Sequence, residues 1–174
     1  MYHTVVAAKV RATFRRINEG DYQPVLDSLA PTFRYHFHGE HALGGTRTTL
    51  PAMRLWWERV FRLIPGGTFD VRDVLVRGWP WRTTVALHAV ITAPLPDGGT
   101  YRNDIHQFLR MRWGRITEVS TMEDLQRLQR ALDVVAAHGT AEAHAAPITD
   151  ADAEAGAGAG SGAGADAGAG SGDR

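Results

Sequence analysis

The sequence has no cysteine among its 174 residues and no formal net charge with histidine neutral, and no apolar run in it approaches the length of a membrane span. Without cysteine there are no disulfides, no thiolate zinc sites and no cysteine nucleophile, and the composition fits a reducing, cytoplasmic setting. Without net charge there is no basic footprint of the kind a general nucleic-acid binder uses to displace counterions. The cluster of Arg11, Arg15 and Arg16 reads instead as the wet side of a helix, so no nucleic-acid partner is expected. Lys9 and Arg11 interrupt the apolar patch near the N-terminus before it reaches signal-peptide length, and no membrane partner is expected.

What is present divides the chain in two. From about Thr140 the composition shifts to Ala, Gly, Ser and Asp, ending in "GAGAGSGAGADAGAGSGDR". Such a segment has few side chains to bury and little to offset its ordering entropy. Residues 140–174 are therefore expected to form a disordered tail beyond a folded domain of residues 1–139.

Within the domain, Val6, Val10, Phe14 and Ile17 recur at helical spacing and Gly20 supplies a stop. A second short helix follows Asp21, with Pro24 in its first turn. Phe33, Tyr35 and Phe37 alternate with Arg34, His36 and His38 as a strand. A third helix starts after Thr48 or Thr49, with Pro51 in its first turn, and carries Met53, Trp56, Trp57, Val60 and Ile64. The period then changes to two through "TFDVRDVLVRG", "RTTVALHAVITA", "TYRNDIHQFLRMR" and "RITEVSTM", with "GWPW", "PLPDGG" and "WG" as turns. Residues 124–137 close the domain as a helix with Leu125, Leu128, Leu132 and Val135 on one face. The order predicts an α+β fold: an antiparallel sheet with N-terminal helices packed on one side and a short C-terminal helix.

The strand "TYRNDIHQFLRMR" carries most of the candidate chemistry. Alternation puts Tyr101, Asn103, Ile105, Gln107, Leu109 and Met111 on one face and Asp104, His106, Phe108 and three arginines on the other. The first face is the more apolar, so Asn103 and Gln107 are the better candidates for a pocket. Asp104 and His106 are expected on the outer face, where they serve assembly. A bulge near Asn103 would reverse this assignment. Asp124 reads as the cap of the last helix through Thr121-x-x-Asp124. His36 and His38 share one face of their strand with no third ligand at a familiar spacing, so no metal is assigned. Adjacent Trp56 and Trp57 allow one indole at most to point squarely inward.

The order of elements over roughly residues 3–135, with "ALGGTRTTLPAMRLWWERVFRLIPG", "GWPWRT" and "DGGTYRNDIHQFLRMRWGRI", resembles the SnoaL-like proteins of the nuclear transport factor two-like superfamily. That resemblance implies a cone-shaped curved sheet with helices on its concave side, and relatives that include polyketide cyclases, ketosteroid isomerase and limonene epoxide hydrolase. Cyclase-like and epoxide-hydrolase patterns place a catalytic Asp seven residues after the Gly of the last turn. The same step from Gly114 falls on Thr121. The Arg-x-Asp of the epoxide hydrolases finds Arg82 without a carboxylate, and Tyr35 matches their tyrosine while Phe37 replaces an asparagine, so epoxide hydrolysis is not expected. The oxyanion-stabilising acid of ketosteroid isomerase maps near Gln107, which can donate to an enolate oxygen but cannot act as a base.

The resulting expectation is a homodimeric, cofactor-free domain that binds a small hydrophobic ligand. Tyr35, Trp56, Asn103, Ile105, Gln107 and Leu109 are its binding residues, and His36, His106 and Gln107 are its weak catalytic candidates. The activity implied is that of an isomerase or polyketide cyclase acting on a hydrophobic carbonyl compound. The alternative is a non-catalytic ligand-binding or assembly domain that has lost the family's carboxylate.

Overall fold

The apolar stripe at the N-terminus forms α1 (Tyr2–Asn18), followed by α2 (Gln23–Ser28), β1 (Leu29–Phe37) and a short β2 (Gly45–Arg47). Next come α3 (Leu50–Leu63), the strands β3 (Thr68–Trp79), β4 (Arg82–Pro94), β5 (Thr100–Arg112) and β6 (Arg115–Glu123), and α4 (Leu125–Ala137). The computed structural model describes residues 1–159. Thr49 caps α3 by accepting from the Ala52 N–H, with Pro51 in the first turn. Asp124 caps α4 by accepting from the Gln126 and Arg127 N–H groups. Asp124→Ala is expected to cost about 1 kcal/mol, read by denaturant unfolding, because two helix-end donors lose their acceptor.

The six strands lie in the order β2-β1-β6-β5-β4-β3, curved but not closed into a barrel. One pairing departs from the antiparallel sheet expected from sequence: β1 runs parallel to β6, with Tyr35 opposite Val119 and Phe37 opposite Thr121. Alternation specifies which face of β1 is buried, and it carries no information about the neighbour. The register of β5 against β4 is unbroken from Thr83–Met111 to Pro94–Thr100. No bulge therefore intervenes near Asn103, and the face assignment made from sequence holds. β6 does bulge: Arg110 pairs with Glu118 and Met111 with Ile116, which puts Ile116 and Val119 on the same inner face.

On the concave side α1 lies over β3. Phe14 meets Phe69 edge-on at 5.7 Å. The Asn18 amide replaces a strand partner at Phe69, donating to its carbonyl at 2.9 Å and accepting from its N–H at 2.7 Å. The core spans α1, α3, α4 and the inner face of the sheet.

The packed chain continues past residue 139. A 3-10 helix (Ala141–His144) and α5 (Asp150–Ala159) follow α4, with Ala143, Ile148 and Ala153 buried. Glu142 pairs with Arg59 at 2.9 Å and Arg62 at 2.8 Å. Asp150 accepts from the backbone N–H and hydroxyl of both Thr48 and Thr49. The segment expected to be a tail from residue 140 is thus docked on α3 as far as residue 153: Ala143 joins the main core, and Ile148 and Ala153 pack closely where Ala52 offers no bulk. The Gly-rich stretch of the expected tail, residues 160–174, lies outside the described residues.

Candidate functional site

A cavity of about 250 Å³ sits between the inner sheet face and helices α1 and α3, just under the ~300–1,000 Å³ usual for ligand sites. Its walls are almost wholly apolar, with Val60, Ile91, Leu109 and Val119 among them. Val5 and Lys9 of α1 are lining residues that remain exposed, and they mark an open rim.

Five of the six expected binding residues line it: Tyr35, Trp56, Ile105, Gln107 and Leu109. Asn103 does not. It is on the correct face and 1 % exposed, but its amide is used up by donation to the Tyr101 hydroxyl at 3.2 Å and the Asp124 carbonyl at 2.9 Å. Parity fixes the face of a strand residue, and the position of Asn103 near the start of β5 carries it past the end of the cavity. His36 and His106 are also outside it. His36 hydrogen-bonds Thr46 Oγ1 across the β1–β2 pair at 2.8 Å, and its neighbour His38 bonds Ser120 Oγ at 2.9 Å. His106 stacks on His88 at 4.9 Å on the outer face, where His88 also bonds Asp104 at 2.7 Å. Both tryptophans of α3 are buried and line the cavity, against the expectation of one. Trp56 donates to the Leu43 carbonyl at 2.8 Å, and Trp57 stacks parallel on Tyr22 at 6.0 Å.

The polar groups at the cavity wall form two sets. Gln107 Nε2 donates to Thr121 Oγ1 at 3.0 Å, and that hydroxyl donates to the Tyr35 oxygen at 3.3 Å. The Tyr35 O–H proton and the second Gln107 amide proton then remain to meet a ligand. Burial raises the Tyr35 phenol above its ordinary value, so it stays protonated and acts as a donor. Behind its ring lies Arg47, 0 % exposed, with its guanidinium carbon 5.4 Å from the Tyr35 centroid and 5.1 Å from that of Trp56. Arg47 donates to the carbonyls of Gly44, Gly45 and Ile148. Burial lowers its pKa to about 10, which leaves it charged at neutral pH.

The second set centres on Glu123, which the sequence reading passed over. It lines the cavity and accepts from the Tyr101 hydroxyl at 2.8 Å. Burial pushes its carboxyl up to about 7, outweighing the hydrogen bond from Tyr101 and the nearby Asn103 amide, which pull it down, and the neighbouring Asp124 charge adds to the rise. The signal was available in the alternation of β6, because Val119, Thr121 and Glu123 share the inner face. A fixed step of seven from Gly114 stopped one inward position short. No cluster of three or more metal-ligating side chains occurs among the described residues.

A curved sheet wrapped around an apolar cavity with a few converging polar groups defines a nuclear transport factor two-like cone. The sequence pattern of the SnoaL-like domain matches residues 10–119, and the chain belongs to that family. Among solved structures it is similar to IdmH, a candidate polyketide cyclase from Streptomyces antibioticus, with 20% identity over 74% of this chain and 98% of that one and a TM-score of 0.60. It is also similar to PrhC from Penicillium brasilianum, at 16% identity over 79% and 92% of the two chains with a TM-score of 0.66. TerC, solved with polyporic acid, matches at 16% identity over 74% and 98% with a TM-score of 0.58. At these identities the likeness is one of fold. No curated protein matches the sequence.

Proposed function

We propose that the protein is a cofactor-free enzyme of the isomerase or polyketide-cyclase kind, acting on a hydrophobic carbonyl compound with Glu123 as its general base. The observation that carries this reading is a carboxylate on an apolar cavity wall whose pKa is pushed up to about 7. A base poised there is half ionised near neutrality and strong enough to take an acidified C–H proton. In the proposed step Glu123 removes a proton from the carbon next to the carbonyl. The C–H electron pair moves into an enolate, and Tyr35 or Gln107 donates to the enolate oxygen. The proton then returns to a different carbon in an isomerisation, or in a cyclisation the enolate carbon attacks a second carbonyl, whose π pair moves to its oxygen and takes the proton back from Glu123. Tyr101 holds one carboxylate oxygen and leaves the other to react. Glu123 replaces His36 and His106 as the candidate base, because both imidazoles lie outside the cavity.

Incubating the protein with 2-tetralone in deuterium oxide tests this, with α-hydrogen exchange followed by NMR. Exchange above the buffer rate that climbs as pH rises through about 7 is the expected result. If the ketone binds with no exchange at any pH, the non-catalytic alternative stands.

The same reading includes a homodimer in a cytoplasmic setting. Its support is the outer sheet face, where Leu75, Ala86, Phe108 and Ser120 form one cross-strand row with Leu75 and Phe108 exposed. No helix among the described residues is long and apolar enough to cross a membrane.

A further inference from the structure

Three tryptophans stand in solvent at one corner of the sheet. Trp79, the last residue of β3, and Trp81, in the β3–β4 turn, are 67% and 53% exposed, and Trp113, in the β5–β6 turn, is 70% exposed. The two turns are joined: the Trp113 N–H donates to the Pro80 carbonyl at 2.6 Å. Trp79 stacks on Trp81 at 5.8 Å, and Trp81 meets Trp113 at 6.2 Å. Trp113 holds φ at 50° and Gly114 at 76°. This is the pair of left-handed residues that a tight hairpin turn demands, and its first position favours Asn or Asp over a bulky aromatic. An indole is therefore kept where local backbone preference opposes it.

Arg77, Arg82, Arg112 and Arg115 surround the cluster, and no Asp or Glu occurs in residues 74–96 or 105–117. Arg77, Arg82 and Arg112 are exposed and form no ion pair among the described residues. The first turn of α1 is fastened to the same corner, where His3 Nε2 donates to the Gly78 carbonyl at 2.7 Å and Tyr2 bonds Thr83 at 2.6 Å. That turn presents Val5, 60% exposed, on the cavity rim. Gly114, next to Trp113, also lines the cavity.

We propose that this tryptophan–arginine corner docks the protein on an anionic lipid surface, with the cavity rim facing the bilayer so that apolar ligands pass directly between the two. Indoles suit the water–lipid boundary because an apolar ring and a polar N–H are satisfied there together, and unpaired arginines supply attraction to acidic headgroups. A second copy of the chain fits this corner less well, since a two-fold contact would bring the arginines against their own equivalents. A single-stranded nucleic acid needs a basic groove along which to run, and none of the three indoles lines either cavity of the described residues. The proposal is independent of the role given to Glu123, because its readout is lipid binding.

The test is flotation with vesicles of phosphatidylcholine alone and of equal parts phosphatidylcholine and phosphatidylglycerol. The protein is expected to float with the anionic vesicles, at least about tenfold more than with the neutral ones, and to be released by raised salt. Trp113→Asn, which suits the turn and should leave the fold intact, is expected to weaken flotation. A Trp79→Ser/Trp81→Ser/Trp113→Asn variant with a native circular-dichroism spectrum should abolish it, and Arg82→Glu/Arg112→Glu should do the same. Absence of flotation with anionic vesicles overturns the proposal, as does equal flotation of the triple variant. Tryptophan-dependent retention on an oligothymidine column without vesicle binding also overturns it, and assigns the corner to nucleic acid.

Discussion

Replacing Glu123 with Gln is expected to remove α-proton exchange and, in the same protein, to stabilise the fold above pH 7. The amide keeps the shape and can still accept from Tyr101, but it cannot take a proton, so the rate should fall by about 10²–10⁴. The stability change follows from linkage. An unfolded glutamate titrates near ~4.3, whereas burial pushes the folded carboxyl up to about 7. Between these values the folded state binds more protons, so the group's contribution is fully present below about pH 4 and declines as pH rises through about 7. Above that, the ionised carboxylate is a standing cost on the order of 1–3 kcal/mol, which Gln removes. Urea unfolding of both proteins at pH 5 and pH 8 checks this: the variant should gain clearly more at pH 8 than at pH 5, where the unfolded glutamate is ionised and the folded one is still protonated. An equal gain at both would mean that Glu123 is not held in its neutral form.

Arg47→Ala is expected to give the largest loss of stability of any single truncation near the site, roughly 3–5 kcal/mol. The guanidinium is fully buried and is bonded to three backbone carbonyls, those of Gly44 and Gly45 at the start of β2 and one in the segment after α4. Removing it leaves those acceptors without partners and opens a void between Tyr35 and Trp56. For a chain of this length the melting temperature should drop by about 6–20 °C. Arg47→Lys keeps the charge but not the fork, and should fall between the two. Since Arg47 backs two cavity residues, ligand binding should weaken along with stability. A melting point within about 2 °C of the natural protein would show that water replaces the guanidinium without loss.

The elements and the inner face of the sheet were legible because each rests on a local signal. Alternation in β5 sorted Ile105, Gln107 and Leu109 inward and His106 outward, and the paired Thr and Pro residues marked the start of α3. The depth of a residue along its strand has no such signal, which is why Asn103 has the right face and the wrong end. Glu123 was hidden differently: its alternation was readable, but it lies between Thr121, where the family's fixed offset from Gly114 falls, and Asp124, whose capping signal dominates the end of the strand. The docked segment after residue 139 was obscured by its composition. Alanines bury little area each, and only the facing Ala52 makes the close approach of Ile148 and Ala153 possible.

The attachment of that segment bears on how the protein is made. Arg47 and Thr48 rest on Ile148 and Asp150, which follow them by 101 and 102 residues. At synthesis rates of about 5–20 residues per second, the loop before α3 waits roughly 5–20 seconds on the ribosome before its permanent partners emerge. During that interval the Arg47 guanidinium behind Tyr35 and Trp56 has only the Gly44 and Gly45 carbonyls to donate to. Closure of the pocket from behind is therefore a late event in the life of each nascent chain.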